Sequence, residues 1–152
     1  MIGFMRGGSN YAMEVLLIDD QAVTVQVYAA IARRVFPGAR VSVALDLSEG
    51  LQISLHRKID LVLLDLQLQN SVGVQTLNRF RRARPNIRVL VVTAVEDKDT
   101  IHACLKAGAV GYVPKTSAVQ TLRTALETVA AGKLYIPPEA KFPELKPAAN
   151  GG

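Results

Sequence analysis

Short, continuous apolar runs recur along the chain. The strongest lie at residues 15–18, 61–64 and 89–92, and weaker ones at 41–44 and 111–113. Each run is too short for a buried helix. Unbroken apolar character is typical of a strand in a parallel sheet that is covered on both faces. The pattern therefore predicts five strands.

Helical periodicity fills the segments between and after these runs. Tyr28, Ile31, Ala32 and Val35 share one helical face, and Asp46-x-x-Glu49 and Ser117-x-x-Gln120 resemble capping boxes. The first predicted helix includes residues 28–35 and stops at Pro37-Gly38, and the others span residues 46–58, 73–84, 98–107 and 117–132. Because strand and helix alternate five times, we expect an α/β fold, a doubly wound five-stranded parallel sheet with helices on both faces.

The two ends of the chain have a different character. Residues 1–13 contain Gly and Ser without periodicity, and are predicted to be a flexible leader. Four of the seven prolines lie after residue 136, so residues 133–152 are predicted to be a linker or tail. A single domain is expected over residues 14–132.

Composition narrows the class of protein. The chain has 152 residues, 49% of them hydrophobic and 20% charged, which is ordinary for a globular domain. A net charge of +5 is no proof of nucleic-acid binding. The single cysteine excludes an intrachain disulfide framework and a zinc site built from cysteines. No apolar run approaches the ~20 residues that span a bilayer, and no signal peptide is recognisable, so a cytoplasmic protein without a membrane partner is expected.

Polar residues stand where the predicted strands end. Asp19 and Asp20 follow the first strand, Asp65 follows the third, Thr93 ends the fourth, and Lys115 follows the fifth. In an open α/β sheet, ligands bind beyond the carboxyl ends of the strands. We therefore expect these five side chains to meet at one edge of the sheet.

Three carboxylates in one place require compensating positive charge. Two unit charges ~4 Å apart repel by ~4 kcal/mol at an effective dielectric constant near 20. Lys115 supplies one cation, and an all-oxygen site without His or Cys suits Mg²⁺ as a second. Because bound Mg²⁺ often holds a phosphate oxygen, the expected ligand is a phosphoryl group. A carboxylate can act as its nucleophile and form an aspartyl phosphate.

Four motifs carry a family resemblance. They are Leu16-Leu-Ile-Asp-Asp20, Asp60-Leu-Val-Leu-Leu-Asp65, Val91-Val-Thr-Ala94 and Gly111-Tyr-Val-Pro-Lys115. Together they resemble the receiver domain of bacterial two-component response regulators, over residues 14–132. The resemblance implies the flavodoxin-like (βα)5 fold with strand order 2-1-3-4-5. The segments Gly111-Tyr-x-x-Lys-Thr-Ser117 and Gly132-Lys-Leu-Tyr-Ile-Pro-Pro138 are similar to the subfamily that carries a C-terminal helix-turn-helix of the LuxR type.

The resemblance implies a role for each site residue. Asp65 corresponds to the phosphoacceptor, and Thr93 and Lys115 to the residues that hold the phosphoryl group. Tyr112 corresponds to the aromatic side chain that swings inward on activation, and forms the switch with Thr93. The implied Mg²⁺ ligands are Asp20 and Asp65, Asp19 partly through water, and the backbone carbonyl of Gln67.

Two positions depart from the family pattern. Proline commonly occupies the position of Gln69 in the loop after the phosphoacceptor, so its absence predicts a looser loop. Proline also commonly follows the phosphate-binding lysine, where this chain has Thr116, while Pro114 precedes Lys115.

The function implied by the resemblance is a signalling switch rather than an enzyme. Asp65 would take a phosphoryl group from a sensor histidine kinase with Mg²⁺ as cofactor, and transcription would be controlled by the result. Homodimerisation on phosphorylation is the expected response. DNA would be contacted only through an effector domain, which is not recognisable in this chain.

Other functions on the same architecture stay open at this point. One is a stand-alone receiver in a phosphorelay, and another is a degenerate receiver, against which the intact acidic set argues. A Mg²⁺-dependent phosphatase with an aspartyl nucleophile usually has a second carboxylate two residues further on, where this chain has Gln67. A nucleotide or flavin module needs a glycine-rich first turn, where this chain has Asp19-Asp20-Gln21-Ala22.

Overall fold

Five parallel strands form one sheet in the order β2-β1-β3-β4-β5, in a computed structural model that describes residues 12–141. The strands are β1 (Glu14–Ile18), β2 (Arg40–Ala44), β3 (Leu61–Leu64), β4 (Arg88–Thr93) and β5 (Gly111–Pro114). The helices are α1 (Ala22–Val35), α2 (Leu47–His56), α3 (Val74–Ala83), α4 (Lys98–Lys106), α5 (Val119–Ala130) and the short α6 (Pro138–Lys141). The predicted α/β fold and strand order are confirmed.

Alternate residues of each strand enter two separate hydrophobic layers. Leu16, Ile18 and Val62 face one layer, which also contains buried side chains of α2, α3 and α4. Leu17 and Leu63 face the opposite layer, which contains buried side chains of α1 and α5. Because helices cover both faces of the sheet, the central strands are apolar on both faces over residues 15–18, 61–64 and 89–92.

One helix start differs from the sequence prediction. Helix α1 begins at Ala22 and contains the predicted face at residues 28–35. The capping box predicted at Ser117 is wrong, since α5 begins at Val119 and its N-cap residue Ala118 makes no side-chain capping bond. The residues before α5 are used in a turn instead, where the Ser117 N–H donates to the Pro114 carbonyl at 2.9 Å. The predicted start of α2 is confirmed, because Asp46 accepts a hydrogen bond from the Glu49 N–H.

Residues 133–141, here called the C-terminal segment, pack against the domain. The sequence predicted a linker or tail for these residues. The Tyr135 N–H donates to the Val110 carbonyl at 2.9 Å, and the Tyr112 N–H donates to the Tyr135 carbonyl at 3.3 Å. Ala140 is buried in the same layer as Tyr112. In the described sheet β5 is an edge strand, so no further strand pairs with its outer backbone groups. The C-terminal segment covers this edge.

The predicted leader ends earlier than residue 13. Met13 is buried, and its carbonyl accepts a hydrogen bond from the Arg40 N–H at 2.8 Å. The rest of the predicted leader, residues 1–11, and residues 142–152 of the predicted tail lie outside the described residues. Within residues 12–141, no helix has the length and apolar character needed to cross a membrane.

Candidate functional site

Backbone hydrogen bonds fix the residues that follow the strands. The Asp19 N–H donates to the Ala44 carbonyl at 3.0 Å, and the Asp65 N–H donates to the Ile18 carbonyl at 3.0 Å. The Lys115 N–H donates to the Thr93 carbonyl at 2.7 Å. Each bond continues the ladder between neighbouring strands, so these side chains start from positions set by the sheet.

Three carboxylates meet at this edge. Asp19, Asp20 and Asp65 each present an oxygen, and these oxygens all lie within 4.8 Å of one another. Asp19 and Asp65 are only 5% and 4% exposed, whereas Asp20 is exposed. The cluster is therefore open to solvent on the Asp20 side.

Lys115 bridges the two buried carboxylates. Its Nζ lies 2.8 Å from Asp19 Oδ2 and 2.8 Å from Asp65 Oδ2. Burial alone would lower the pKa of Lys115, but the hydrogen bonds from its ammonium to Asp19 and Asp65 outweigh burial, so this pKa is raised above its ordinary value. The ammonium is therefore held in its charged form.

The acidic cluster keeps excess negative charge even with Lys115 in place. Burial raises the pKa of Asp19, because the bonds from Lys115 and the Gln21 N–H offset the lost hydration only in part. Three carboxylates and one ammonium leave a formal charge of −2, which a divalent cation would neutralise. Grouped carboxylate oxygens with a solvent-open side are the donors that Mg²⁺ selects, so the residues present fit this ion.

Hydrogen bonds hold the β3–α3 loop. Leu68 and Ser71 exchange backbone hydrogen bonds across the turn at Gln69 and Asn70. Thr76 Oγ1 donates to the Leu66 carbonyl at 3.1 Å and lies 2.7 Å from Ser71 Oγ. Side-chain hydroxyls thus hold the loop in which the family's proline is missing, and the expectation of a looser loop stays a prediction.

Gln67 stands at the start of that loop and is tied to the acidic cluster. Its backbone N–H donates to Asp65 Oδ1 at 3.0 Å, so Lys115 and Gln67 hold different oxygens of the same carboxylate. The loop geometry places the Gln67 backbone next to Asp65. The role of its carbonyl as a metal ligand stays a prediction.

The two switch candidates are both fully buried, but their hydroxyls differ. Thr93 Oγ1 has no hydrogen-bond partner among the residues that the structure describes. The Tyr112 hydroxyl donates to the Val95 carbonyl at 2.6 Å, and the ring lies inside the layer formed with α4. Burial raises the pKa of Tyr112, so its hydroxyl stays a donor.

Gln21 is a site residue that the sequence did not single out. Its side-chain Oε1 accepts from Lys115 Nζ at 2.9 Å, and its N–H donates to Asp19 Oδ1 at 2.9 Å. Its position directly after Asp20 is the one available signal. The residue type gives no signal of a functional site, because Gln21 is an uncharged, exposed residue at the start of a helix.

The fold and the site together define a class of protein: a doubly wound α/β domain with an acidic cluster and a lysine at its strand ends. The family model for the response regulator receiver domain matches residues 15–127. The chain belongs to the response regulator receiver domain family. The resemblance found in the sequence motifs is thereby confirmed, and receiver domains of this family are signalling modules of two-component systems.

Relatives place the chain among longer regulators. The glycerol metabolism activator of Pseudomonas putida is 31% identical over 127 residues, which cover 83% of this chain and 58% of that protein. The probable C4-dicarboxylate response regulator DctR of Bacillus subtilis is 32% identical over 114 residues, which cover 75% and 50%. The chain thus spans little more than half the length of these curated relatives.

Solved structures agree with the fold. A LuxR family DNA-binding response regulator from Silicibacter pomeroyi aligns with a TM-score of 0.71 at 28% identity, over 84% of this chain and 98% of that one. The isolated receiver domain of RcsB from Salmonella enterica, solved with the phosphomimetic BeF₃⁻, gives a TM-score of 0.77 at 19% identity over 86% and 96%. The resemblance to the LuxR-type subfamily is confirmed by the first of these structures, and the second shows the same fold.

Proposed function

We propose that this chain is a phosphorylation switch in which Asp65 accepts a phosphoryl group from the phosphohistidine of a sensor histidine kinase. One observation carries the proposal. Asp65 is buried beside Asp19 and Asp20, with Lys115 Nζ 2.8 Å from its Oδ2. The carboxylate of Asp65 is therefore held in one position, and the Lys115 ammonium lies next to it, where it can bind the negatively charged phosphoryl group.

In the proposed reaction, a carboxylate oxygen of Asp65 forms a P–O bond while the P–N bond of the donor phosphohistidine breaks. The electron pair of that bond stays on the imidazole. Lys115 orients the carboxylate beforehand and then binds a phosphoryl oxygen. Asp19, Asp20, Asp65 and the Gln67 carbonyl would hold Mg²⁺. When bound, the ion would neutralise charge on the carboxylates and the phosphoryl oxygens.

The proposed response begins at Thr93. A phosphoryl oxygen would give its buried hydroxyl the partner that the described residues do not provide. A shift of β4 would then act on Tyr112, whose hydroxyl is bonded to Val95 just after β4. The proposed output is homodimerisation or the release of a DNA-binding effector domain. Two findings support it: the curated relatives are longer than the part this chain matches, and a similar structure is that of a LuxR family DNA-binding response regulator.

Intact mass spectrometry after incubation with acetyl phosphate and Mg²⁺ tests the proposal. The parent protein should gain one phosphoryl group, whereas Asp65→Asn should gain none, and chelation of Mg²⁺ should abolish labelling of the parent. Asp60→Asn is the matched control, since Asp60 lies at the opposite end of β3, where it binds the Glu14 N–H. Full labelling of Asp65→Asn would contradict the assignment.

A further inference from the structure

Every N–H donor of the Lys115 ammonium is engaged in this structure. Its acceptors are Asp19 Oδ2 at 2.8 Å, Asp65 Oδ2 at 2.8 Å and Gln21 Oε1 at 2.9 Å. An ammonium group has three donors and no acceptor. Binding of a phosphoryl oxygen by Lys115 therefore requires that one of these three bonds is given up.

Of the two acceptors that do not carry the phosphoryl group themselves, Gln21 is released at the lower cost. Asp19 is charged and nearly buried, so it would be left as a carboxylate without its partner. Gln21 is uncharged and exposed, so water can replace the ammonium at its oxygen.

Capping of α1 does not explain the position of the Gln21 side chain. The residue is the N-cap of α1, but its side chain makes no capping hydrogen bond. Its Oε1 accepts from Lys115 Nζ at 2.9 Å and, more weakly, from Thr24 Oγ1 at 3.3 Å. The shorter of these two hydrogen bonds is thus the one to the phosphate-binding lysine.

We infer that Gln21 is a positioning residue that holds the place of a phosphoryl oxygen on Lys115 until the phosphoryl group arrives. This inference rests on the proposed function of Asp65 and Lys115. It makes residue 21 a determinant of how readily the site is occupied. An acceptor that binds Lys115 more weakly than glutamine favours the phosphoryl group, and one that binds it more strongly competes with that group.

Two substitutions of similar length separate this role from a structural one. Gln21→Met removes the acceptor, and should tighten the binding of beryllofluoride, a phosphoryl mimic, by roughly 3-fold, because a single hydrogen bond changes an equilibrium constant by roughly 2- to 10-fold. Gln21→Glu keeps Lys115 with a charged acceptor, and should weaken binding by roughly 10-fold. A residue needed only for folding would shift both variants in the same direction.

The measurement is a titration of beryllofluoride at saturating Mg²⁺, followed by the amide chemical shift of Tyr112. Gln26→Met is the control, because Gln26 is an exposed glutamine of the same helix, and the dissociation constant of this variant should equal that of the parent. Opposite shifts for Gln21→Met and Gln21→Glu would support the role. Equal constants, or shifts of the same sign, would overturn it while leaving the proposed function intact. A parent that binds no beryllofluoride would overturn both.

Discussion

Thr93 and Thr76 show how differently two fully buried hydroxyls are used. Thr76 Oγ1 binds the Leu66 carbonyl and Ser71 Oγ, and so anchors the loop after Asp65. Thr93 Oγ1 has no partner within residues 12–141, although the residue is 0% exposed. A buried hydroxyl without a hydrogen bond is destabilising by about 1–3 kcal/mol. We interpret this cost as the consequence of keeping a phosphate-sensing group at the end of β4.

The same substitution should therefore have opposite effects at the two positions. Thr93→Val removes the unpartnered hydroxyl, and should raise the free energy of unfolding by about 1 kcal/mol. Thr76→Val leaves the buried Ser71 hydroxyl without its Thr76 partner and removes one of the two donors to the Leu66 carbonyl, so it should lower the free energy of unfolding by about 1–3 kcal/mol. Urea denaturation of both variants measures the difference. Destabilisation by Thr93→Val as large as that by Thr76→Val would show that Thr93 has a structural partner.

The sequence predicts some site residues better than others. Asp65 and Lys115 follow from their place after apolar runs, because the backbone ladder fixes them wherever the strands end. Gln21 does not follow, since its contact with Lys115 joins residues far apart in the sequence. The hydrogen bonds that hold the loop do not follow either, for a different reason: Ser71 and Thr76 are only five residues apart, but no sequence pattern indicates that their hydroxyls meet.

At the scale of elements, the edge of β5 depends on close approach of the C-terminal segment. A Cβ atom added at Gly111 would lie 2.9 Å from Tyr135 Cβ and 3.0 Å from the Tyr135 carbonyl oxygen. Glycine at this position therefore lets the two backbones pair. The pairing joins the segment to β5, the strand that carries Tyr112.

Two truncations isolate the contribution of the C-terminal segment. A chain that ends at residue 141 keeps every contact described here, whereas one that ends at residue 132 loses the Tyr135 pairing and the buried Pro137 and Ala140. The shorter chain should be less stable by about 2 kcal/mol, from the lost backbone hydrogen bonds and apolar burial. Thermal or urea unfolding of the two chains gives the comparison. Equal stabilities would mean that the segment behaves as the linker expected from its prolines.

The bounds of a strand or helix can be predicted where the residues that determine them are close together in the sequence. The strand at residues 61–64 is bounded as predicted, because its apolar run is unbroken and buried on both faces. The start of α5 was misplaced, because the turn after Pro114 uses the residues that looked like a cap. The packing of residues 133–141 was missed, because proline content indicates a linker and the partner strand β5 is recognised only in the folded sheet.

At the scale of the whole molecule, the sheet turns distant residues into one site. Asp19, Asp65 and Lys115 lie on three different strand ends, and the strand order β2-β1-β3-β4-β5 brings them together around a single ammonium. The helical layers on both faces leave the carboxyl edge open at Asp20. This single open edge, with Thr93 on β4 and Tyr112 on β5 beside it, is the arrangement on which the proposed function rests.

The central claim is that Asp65 is the residue that becomes phosphorylated, and chemical trapping tests it most directly. Borohydride reduces an aspartyl phosphate to homoserine, so reduction after labelling with acetyl phosphate and Mg²⁺ marks the acceptor in the sequence. Peptide sequencing by mass spectrometry should find homoserine at position 65, with aspartate intact at positions 19 and 20. Homoserine at position 19 or 20, or a phosphorylated protein without homoserine at position 65, would contradict the account.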